Sequence, residues 1–468
     1  MTSDLPNIVL VVYDTARRDR FGSYGYPKPT TPTFDALARE GLLVDTMIAN
    51  APWTPPSHAS LFTGLYPSQH GCQWGNEIRL QEGVGVTLAE WLGGLGYETA
   101  CVTSNGLISD ATGLTRGFGH FASRLDLERG IRRHARRARK GLFGGDAGGA
   151  IINRYLRKRL GGVRRPMFLF VNYLECHWAY APRPSAVRRV GGPRFRFPHG
   201  LDYRLRIADR VGPWEAIARA SKDTLDIYST LYDAELGSVD AHFAHLMESL
   251  ERSGHLSGDN TLVMVTSDHG EHIGEHGLAD HHASLDDHII RVPFAAWGPG
   301  VVPHGRKEGV WELVDVASSL AHLIDKPVPA AYMEQRRNHL FDERSSDAAN
   351  DYAFAEWKCW NPKELGRLAR RNPSYDFRPI ARDIVCVRDA RYKLVRGSDG
   401  TEFLYDCVAD PDESTDLAAT HAEVAARLRT ELDRETGSWR PPDPGDQAEF
   451  TDEERREVEE RLAALGYI

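Results

Sequence analysis

The hydrophobic pattern of the chain predicts buried strands separated by helices. Strong runs of consecutive apolar residues cover Asn7–Tyr13, Met167–Tyr173 and Thr261–Thr266, and weaker runs cover 99–103 and 293–297. Because these runs are apolar at consecutive positions, and not at every second one, each strand is expected to be covered on both faces. The pattern therefore predicts an α/β fold in which helices flank a large parallel sheet.

Helix signals lie between these runs. Thr31, which a proline follows, predicts a helix start, and Gly41 predicts its end. Thr87 precedes apolar residues spaced i, i+3, i+4 and i+7, and Gly96 follows them. One long apolar stripe predicts a further helix over 225–250.

The pattern changes after about residue 345, where short strand-like segments replace the long apolar runs. We therefore predict a catalytic α/β domain over 1–345 and a C-terminal α+β subdomain over 346–468. The subdomain is expected to hold a small antiparallel sheet with strands at 353–357, 383–388, 391–395 and 402–405, and helices at 422–432 and 452–465.

A basic insertion is predicted at about 126–165. Residues 129–165 contain 13 Lys and Arg and one acid, Asp146, and six basic side chains from Arg129 to Lys140 fall on one helical face. The basic face of this predicted helix is either ordinarily solvated or forms a patch that binds an acidic substrate or membrane headgroups.

Composition and charge narrow the function classes. The 468 residues are 41% hydrophobic and 26% charged, as in globular proteins, and the net charge of −9 argues against a nucleic-acid binder. No apolar run is long enough to cross a bilayer, and the polar N-terminus carries no secretory signal. The six Cys form no CxxC pair and are expected to be reduced thiols, so a cytoplasmic protein is expected.

Polar side chains follow the predicted strands. Asp14, Asn105 and the pair Asp268 and His269 come within three residues of three strand ends, and a Glu-Cys-His sequence ending at His177 follows a fourth. Because the carboxyl ends of parallel strands meet at one edge of a sheet, these side chains are expected to converge. Two carboxylates and an imidazole are ligands for a divalent cation. A single Asp after one strand would be an ordinary helix cap. The prediction of a metal site therefore depends on the presence of polar residues after several strands.

Segment 54–64, with the sequence TPPSHASLFTG, predicts a helix. Thr54 is the expected N-cap, two prolines fall in the first turn, and Gly64 ends the helix. A hydroxyl at the cap would lie near free backbone N–H groups and the positive end of the helix dipole, which favour an alkoxide or a phosphate. On this segment alone, an ordinary threonine cap explains the pattern as well.

Five of the 19 histidines lie in the glycine-containing segment 269–282. Clustered histidines can be metal ligands, general acids or donors to a developing anion. Because all five cannot face one site, His272 and His276 are expected to be structural or to lie behind the ligands.

These motifs resemble the sulfatases of the alkaline phosphatase superfamily. Segment 54–64 resembles the sulfatase signature, a Cys-x-Pro-Ser-Arg pattern with a Leu-Thr-Gly tail. Segments 14–19 and 265–277 resemble the two metal segments of that family, and 392–394 and 404–413 resemble its C-terminal subdomain. The resemblance spans nearly the whole chain, and it implies an alkaline-phosphatase-like fold with a mixed, mostly parallel sheet sandwiched by helices.

Two kinds of departure from the family bear on the chemistry. Thr54 stands where sulfatases carry the Cys that is oxidised to formylglycine, and no other Cys-x-Pro-x-Arg sequence occurs. His58 replaces the signature Arg, and Thr15 replaces a second metal carboxylate. Phosphodiesterases, pyrophosphatases and phosphotransferases of the superfamily use a Thr nucleophile. A formylglycine hydrate releases sulfate by elimination, whereas a Thr adduct needs water to attack its central atom, which suits phosphorus better than sulfur.

The resemblance implies site residues position by position. One divalent metal ion is expected, with Mn²⁺ or Zn²⁺ favoured and Ca²⁺ or Mg²⁺ also allowed, on Asp14, Thr54, Asp268 and His269. The expected catalytic residues are Thr54, His177 and His281. The expected substrate-binding residues are Asn105, His58 and His282, where His282 is also the alternative to His281. A second ion held by Glu175, His177 and His281 is the minor alternative.

The sequence therefore predicts a metal-dependent hydrolase of a phosphate ester, either a phosphodiester or a phosphonate monoester, that forms a covalent Thr54 intermediate. The alternatives are a sulfatase that works without formylglycine, a phosphotransferase to an alcohol, and an inactive binding homologue. The expected substrate is a small-molecule or lipid-like anionic ester. No nucleic acid and no transmembrane segment are expected, and a homo-oligomer is left open.

Overall fold

The computed structural model describes residues 5–74, 78–128, 145–163, 166–178, 180–191, 213–327, 339–341, 350–440 and 451–465. The basic helix predicted from Arg129 to Lys140 lies outside these residues. Among the helices described, none has both the length and the apolar character needed to cross a membrane.

Strands occupy both predicted regions of the chain. They are β1 (Asn7–Tyr13), β2 (Leu42–Ile48), β3 (Glu98–Thr103), β4 (His120–Ser123), β5 (Met167–Tyr173), β6 (Thr261–Thr266), β7 (His272–Ile273), β8 (Ala279–Asp280), β9 (Arg291–Val292), β10 (Phe294–Trp297), β11 (Gly305–Glu312), β12 (Ala353–Trp357), β13 (Ile384–Arg388), β14 (Tyr392–Gly397) and β15 (Glu402–Asp406).

A nine-stranded mixed sheet forms the centre of the fold, in the order β11-β2-β10-β6-β1-β5-β3-β4, with β9 paired to β2. The central strand β1 is parallel to both β5 and β6. β10 runs antiparallel to β6 and β2, which makes the sheet mixed. The predicted fold class is therefore confirmed.

Some α-helices cover the two faces of this sheet, and others belong to the C-terminal region. They are α1 (Pro32–Glu40), α2 (Thr54–Thr63), α3 (Pro67–His70), α4 (Leu88–Gly94), α5 (Arg124–Leu127), α6 (Gly149–Arg159), α7 (Pro184–Gly191), α8 (Pro213–Ala218), α9 (Lys222–Arg252), α10 (Asp287–Ile290), α11 (Asp315–Leu323), α12 (Pro362–Arg371), α13 (Ala422–Ser438) and α14 (Asp452–Leu465).

Alternate residues of β1 enter two separate cores, because side chains alternate across a strand. Val9 and Val11 pack in the layer that contains α1, α6, α7 and α9. Leu10 and Val12 pack in the opposite layer, which contains α2, α4 and α11. This double coverage is the physical reason why the central strands are apolar at every position.

A smaller antiparallel sheet follows, in the order β12-β13-β14-β15. Leu428 of α13 packs with Leu394 and Leu404 of this sheet. Asn50, which follows β2, donates from Nδ2 to the Phe354 carbonyl of β12 at 2.9 Å. The predicted C-terminal sheet is thus confirmed, and the boundary between 345 and 346 stays a prediction.

Candidate active site

The carboxyl edge of the main sheet brings the predicted residues together. Asp14 follows β1, Asn105 follows β3, and Asp268 and His269 follow β6, while Thr54 begins α2 beside them. All five side chains are fully buried. The convergence expected from the topology of a parallel sheet is therefore observed.

Thr54 is the first residue of α2, and the preceding Trp53 is the N-cap, so the predicted N-cap position is wrong by one residue. The reason is the pair of prolines at 55 and 56, which lack N–H groups and are tolerated in the first turn of a helix. The same prolines remove backbone donors that we expected to stabilise an anion at this end. Asn105 supplies a donor instead, since its Nδ2 lies 3.2 Å from Thr54 Oγ1.

The Asp14 carboxylate is held by two amides. Asn105 and Asn172 each donate from Nδ2 to Asp14 Oδ2, at 2.8 and 2.9 Å. The other oxygen, Oδ1, is buried without a hydrogen-bond partner. Burial, with the nearby charge of Asp268, raises the pKa of Asp14 to about 6. This orphaned oxygen is a ready ligand for a cation.

Asp268 is oriented by the backbone. Its Oδ1 accepts the N–H of Thr15 at 3.2 Å and the N–H of His269 at 3.0 Å. Thr15 adopts a left-handed φ of 60°, a strained conformation for a β-branched residue, and thereby points its N–H at this oxygen. Although burial raises the pKa of Asp268, His269 and these hydrogen bonds outweigh it and lower the pKa.

His269 directs its Nε2 atom toward Asp268 and Thr54. Its Nδ1 lies 3.0 Å from the Gly270 carbonyl, which can only accept, so Nδ1 carries the proton. In the neutral ring, Nε2 then faces Asp268 Oδ2 at 3.2 Å and Thr54 Oγ1 at 3.5 Å. Ligand atoms of Asp14, Asp268 and His269 lie within 4.8 Å of one another. A divalent cation fits this set of acceptors.

His58 lies beneath the nucleophile candidate. Its Nδ1 is 2.9 Å from the Thr54 carbonyl and 3.4 Å from Asp268 Oδ2. The ring packs edge-on against Phe62 and Phe170. This position supports the first turn of α2, and a contact of His58 with substrate stays a prediction.

His281 and His177 lie next to His269. The rings of His281 and His269 are 4.3 Å apart, and those of His281 and His177 are 5.2 Å apart. Burial lowers the pKa of His281, but Asp280 and Glu271 outweigh this effect and raise it to about 10, so this ring is an imidazolium at neutral pH. Burial and the His281 charge lower the pKa of His177, whose ring is therefore neutral.

The remaining predicted histidines separate into two groups. His282 is enclosed by indole rings, and burial lowers its pKa to about 4. The rings around it belong to Trp53, Trp74, Trp357 and Trp360. His272 and His276 approach Asp286, at 3.5 and 3.7 Å. This agrees with the structural role expected for these two residues.

Two important residues were not identified from the sequence. Asn172 is the one amide in the apolar run of β5 and orients Asp14. Glu271 accepts from His281 Nδ1 at 3.0 Å and gives that histidine part of its charge. The signal for Asn172 was a polar residue in an otherwise apolar strand. Glu175 groups with Asp146 and His242 in the described chain, and no group found there combines it with His177 and His281, so the second-ion alternative stays a prediction.

A sulfatase profile matches residues 6–326 of the chain. This match covers the main sheet and every residue of the site. The chain belongs to the sulfatase family. As a sulfatase-family protein it is a hydrolase, and enzymes of this family use a divalent metal ion.

Relatives in the sulfatase family are distant in sequence and similar in fold. A sulfatase from Formosa agariphila is 23% identical over 461 residues, which cover 88% of this chain and 82% of the relative. The structure of a 2-O GAG sulfatase superposes with a TM-score of 0.69 at 20% identity, covering 92% of both chains. A phosphonate monoester hydrolase from Silicibacter pomeroyi superposes with a TM-score of 0.70 at 19% identity, covering 93% of this chain and 96% of that one. These superpositions confirm the alkaline-phosphatase-like fold.

Proposed function

We propose that this sulfatase-family hydrolase cleaves a phosphodiester or a phosphonate monoester and that Thr54 is its nucleophile. The observation that carries the proposal is the identity and position of residue 54. A threonine hydroxyl, and no cysteine, lies beside the buried Asp14, Asp268 and His269 and accepts from Asn105 at 3.2 Å.

Asp14, Thr54, Asp268 and His269 would hold the divalent ion, which supplies positive charge to the substrate and lowers the pKa of the hydroxyl. The Thr54 hydroxyl releases its proton to solvent, and Thr54 Oγ forms a bond to phosphorus while the bond from phosphorus to the leaving oxygen breaks. The His281 imidazolium gives its proton to that leaving oxygen. Water then attacks the phosphothreonine, the neutral His177 takes a proton from the water, and the Thr54 oxygen leaves.

The charge of the site favours a monoanionic substrate. One divalent ion and the His281 imidazolium oppose two carboxylates, Asp14 and Asp268, that the ion must also neutralise. A phosphomonoester dianion would add a second negative charge to this balance, whereas a diester or phosphonate monoester adds only one. A small or lipid-like anionic ester remains the expected substrate class.

The first test removes the nucleophile. Thr54→Ala should abolish turnover and leave the fold intact, because the lost hydrogen bond is worth only about 1 kcal/mol. Thr54→Ser keeps a hydroxyl and should retain measurable activity. The control is Thr33→Ala in α1, an intermediate-exposure residue away from the site, which should leave turnover unchanged. Near-normal rates from metal-loaded Thr54→Ala would contradict the covalent mechanism.

The second test compares phosphorus esters with a sulfate ester as substrates of the wild-type enzyme. An aryl phosphodiester and an aryl phosphonate monoester should be cleaved several orders of magnitude faster than the aryl sulfate, a barrier difference of more than about 4 kcal/mol. A preference for the aryl sulfate would instead support a sulfatase that works without formylglycine. Transfer to an added alcohol would indicate a phosphotransferase, and inactivity on the whole panel would indicate a binding homologue.

A further inference from the structure

A second group of potential ligands lies outside the active-site cluster. Asp146 precedes α6, Glu175 follows β5, and His242 lies on α9. One ligand atom of each lies within 4.8 Å of the others. These residues come from three elements far apart in sequence, so the fold, and not local sequence, brings them together.

Glu175, a member of this group, has one unsatisfied carboxylate oxygen. Its side chain is fully buried, and Oε1 accepts the Gly149 N–H at 2.9 Å. The other oxygen, Oε2, is buried and has no hydrogen-bond partner. An unpaired carboxylate oxygen in the interior raises the free energy of the folded protein, because it has lost its contacts with water. A bound cation would compensate for that loss.

His242 offers a nitrogen to the same space. Its Nε2 is buried without a hydrogen-bond partner and lies 3.5 Å from Glu175 Oε1. This separation is close to the roughly 3.3 Å between adjacent ligands of a tetrahedral zinc ion. The ring stacks on Tyr173, and a Cβ at Gly149 would lie 2.2 Å from its Cδ2. Glycine at 149 therefore makes room for this ring.

We propose that Asp146, Glu175 and His242 bind a second divalent cation, in a site that shares no residue with the active-site cluster. Asp146 is oriented by the Gly148 N–H at 3.1 Å, and the exposed Arg183 reaches its carboxylate at 3.3 Å. The imidazole ligand favours a first-row ion such as Zn²⁺ or Mn²⁺ over Ca²⁺ or Mg²⁺. A bound ion ties the start of α6 and the body of α9 to the loop after β5, the loop that carries His177.

The test is metal binding in a background without the active-site cluster. Asp268→Asn protein is freed of metal with a chelator, incubated with Zn²⁺, desalted and analysed by mass spectrometry for zinc. It should retain about one Zn²⁺ per chain, by the ligand count of this second site. Adding His242→Gln should reduce the zinc to background. Adding His245→Ala, which removes an exposed histidine three residues further along α9, should leave it unchanged.

Thermal unfolding separates binding from misfolding. Zn²⁺ should raise the melting temperature of Asp268→Asn protein and have no effect once His242→Gln is added, with circular dichroism confirming that both are folded. If His242→Gln fails to fold, Glu175→Gln takes its place, and Zn²⁺ should then have no effect on the melting temperature of that variant. Equal zinc content in all folded variants, or none in the Asp268→Asn parent, would overturn the proposal. In that case His242 and Glu175 lie near each other without binding a metal ion.

Discussion

Two buried carboxylates that face each other need a cation between them. Asp14 and Asp268 are both inaccessible to solvent, and each raises the cost of ionising the other. The amides on Asp14 and the backbone N–H groups on Asp268 satisfy one oxygen of each acid. The oxygens that are left over, Asp14 Oδ1 and Asp268 Oδ2, are buried without a hydrogen-bond partner. At the scale of single residues, this arrangement is the strongest physical argument for a metal site.

Removing one of these acids should therefore remove the ion. Asp268→Asn should reduce the metal content by one ion per chain and abolish turnover, because Asp14 then remains as the single carboxylate among the ligands. Mass spectrometry of metal content and an assay with an aryl phosphodiester measure the two effects. Asp259→Asn, at an exposed position, is the matched control and should change neither. Stoichiometric metal and normal turnover in Asp268→Asn would show that this carboxylate is not a ligand.

The role of His281 can be separated from simple electrostatic support by the leaving group. His281→Ala should slow esters with poor leaving groups much more than activated aryl esters, because only the former need a proton in the transition state. His276→Ala, from the same segment but partly exposed and paired with Asp286, should affect both classes little. Rates that fall equally for all leaving groups would make His281 an electrostatic stabiliser and not the general acid.

Helix α2 is anchored to α3 by one buried imidazole. His70 Nδ1 accepts the Cys72 N–H at 3.1 Å, and its Nε2 lies 3.2 Å from the Pro56 carbonyl of α2. Because a carbonyl only accepts, Nε2 carries the proton and the ring is neutral. Burial lowers the pKa of His70 to about 3. The element that carries Thr54 is thus held by a histidine that resists protonation.

This anchor predicts a specific dependence of stability on pH. The unfolded chain protonates His70 below about pH 6.5, while the folded chain does so only near pH 3, so this residue lowers stability as pH falls through that window. Its contribution is about 1.4 kcal/mol per pH unit. The unfolding free energy, measured by urea titration at several pH values between 6 and 4.5, should fall with decreasing pH in the wild type. In His70→Gln this dependence on pH should be weaker by about 1.4 kcal/mol per pH unit. Identical slopes would contradict a neutral buried His70.

The central strands that are buried on both faces were predicted well from the sequence, and several strands toward the two ends of the sheet were not. β1, β5 and β6 were recognised because each residue faces a core. β2 is interrupted by Asp45 and Thr46, β4 has only four residues, and β11 is half-exposed and charged at the rim of the sheet. Their positions depend on pairing with distant strands, and periodicity within the segment does not report such pairing.

The same distinction applies to the site. Residues that follow predicted strands, such as Asp14 and Asp268, were placed by topology alone. Asn172 and Glu271 act on other side chains across the sheet edge, and no spacing in the sequence connects them with their partners. The one-residue error at Thr54 arose because two consecutive prolines continue the first turn of α2 without using its N–H groups.

The C-terminal sheet is joined to the catalytic region by a buried ionic cluster. Lys393 of β14 donates to Glu413 at 2.7 Å, to Asp287 of α10 at 3.2 Å and to the Leu285 carbonyl at 2.6 Å. Arg388 of β13 donates to both oxygens of the same Asp287. The three bonds from Lys393 use all three N–H donors of its ammonium group. At the scale of the whole molecule, the two sheets share a set of buried charges and are expected to unfold together.

Breaking this cluster should therefore destabilise the entire protein. Lys393→Met leaves two buried carboxylates, Asp287 and Glu413, short of one cation and should cost about 3–5 kcal/mol of unfolding free energy. Burial opposes the charge of Lys393, but Glu413 and Asp287 hold its pKa well above the usual range, so the lost charge is present throughout the neutral region. The matched control is Lys358→Met. The Lys358 ammonium pairs with Asp383 at the surface and is 45% exposed, so this change should cost no more than about 1 kcal/mol.

Urea unfolding is followed by both tryptophan fluorescence and loss of enzyme activity. The midpoints of the two transitions should shift together for Lys393→Met, because the cluster links the sheet to the active-site region. A fluorescence transition that shifts while the activity transition stays at its wild-type position would show that the C-terminal sheet unfolds on its own.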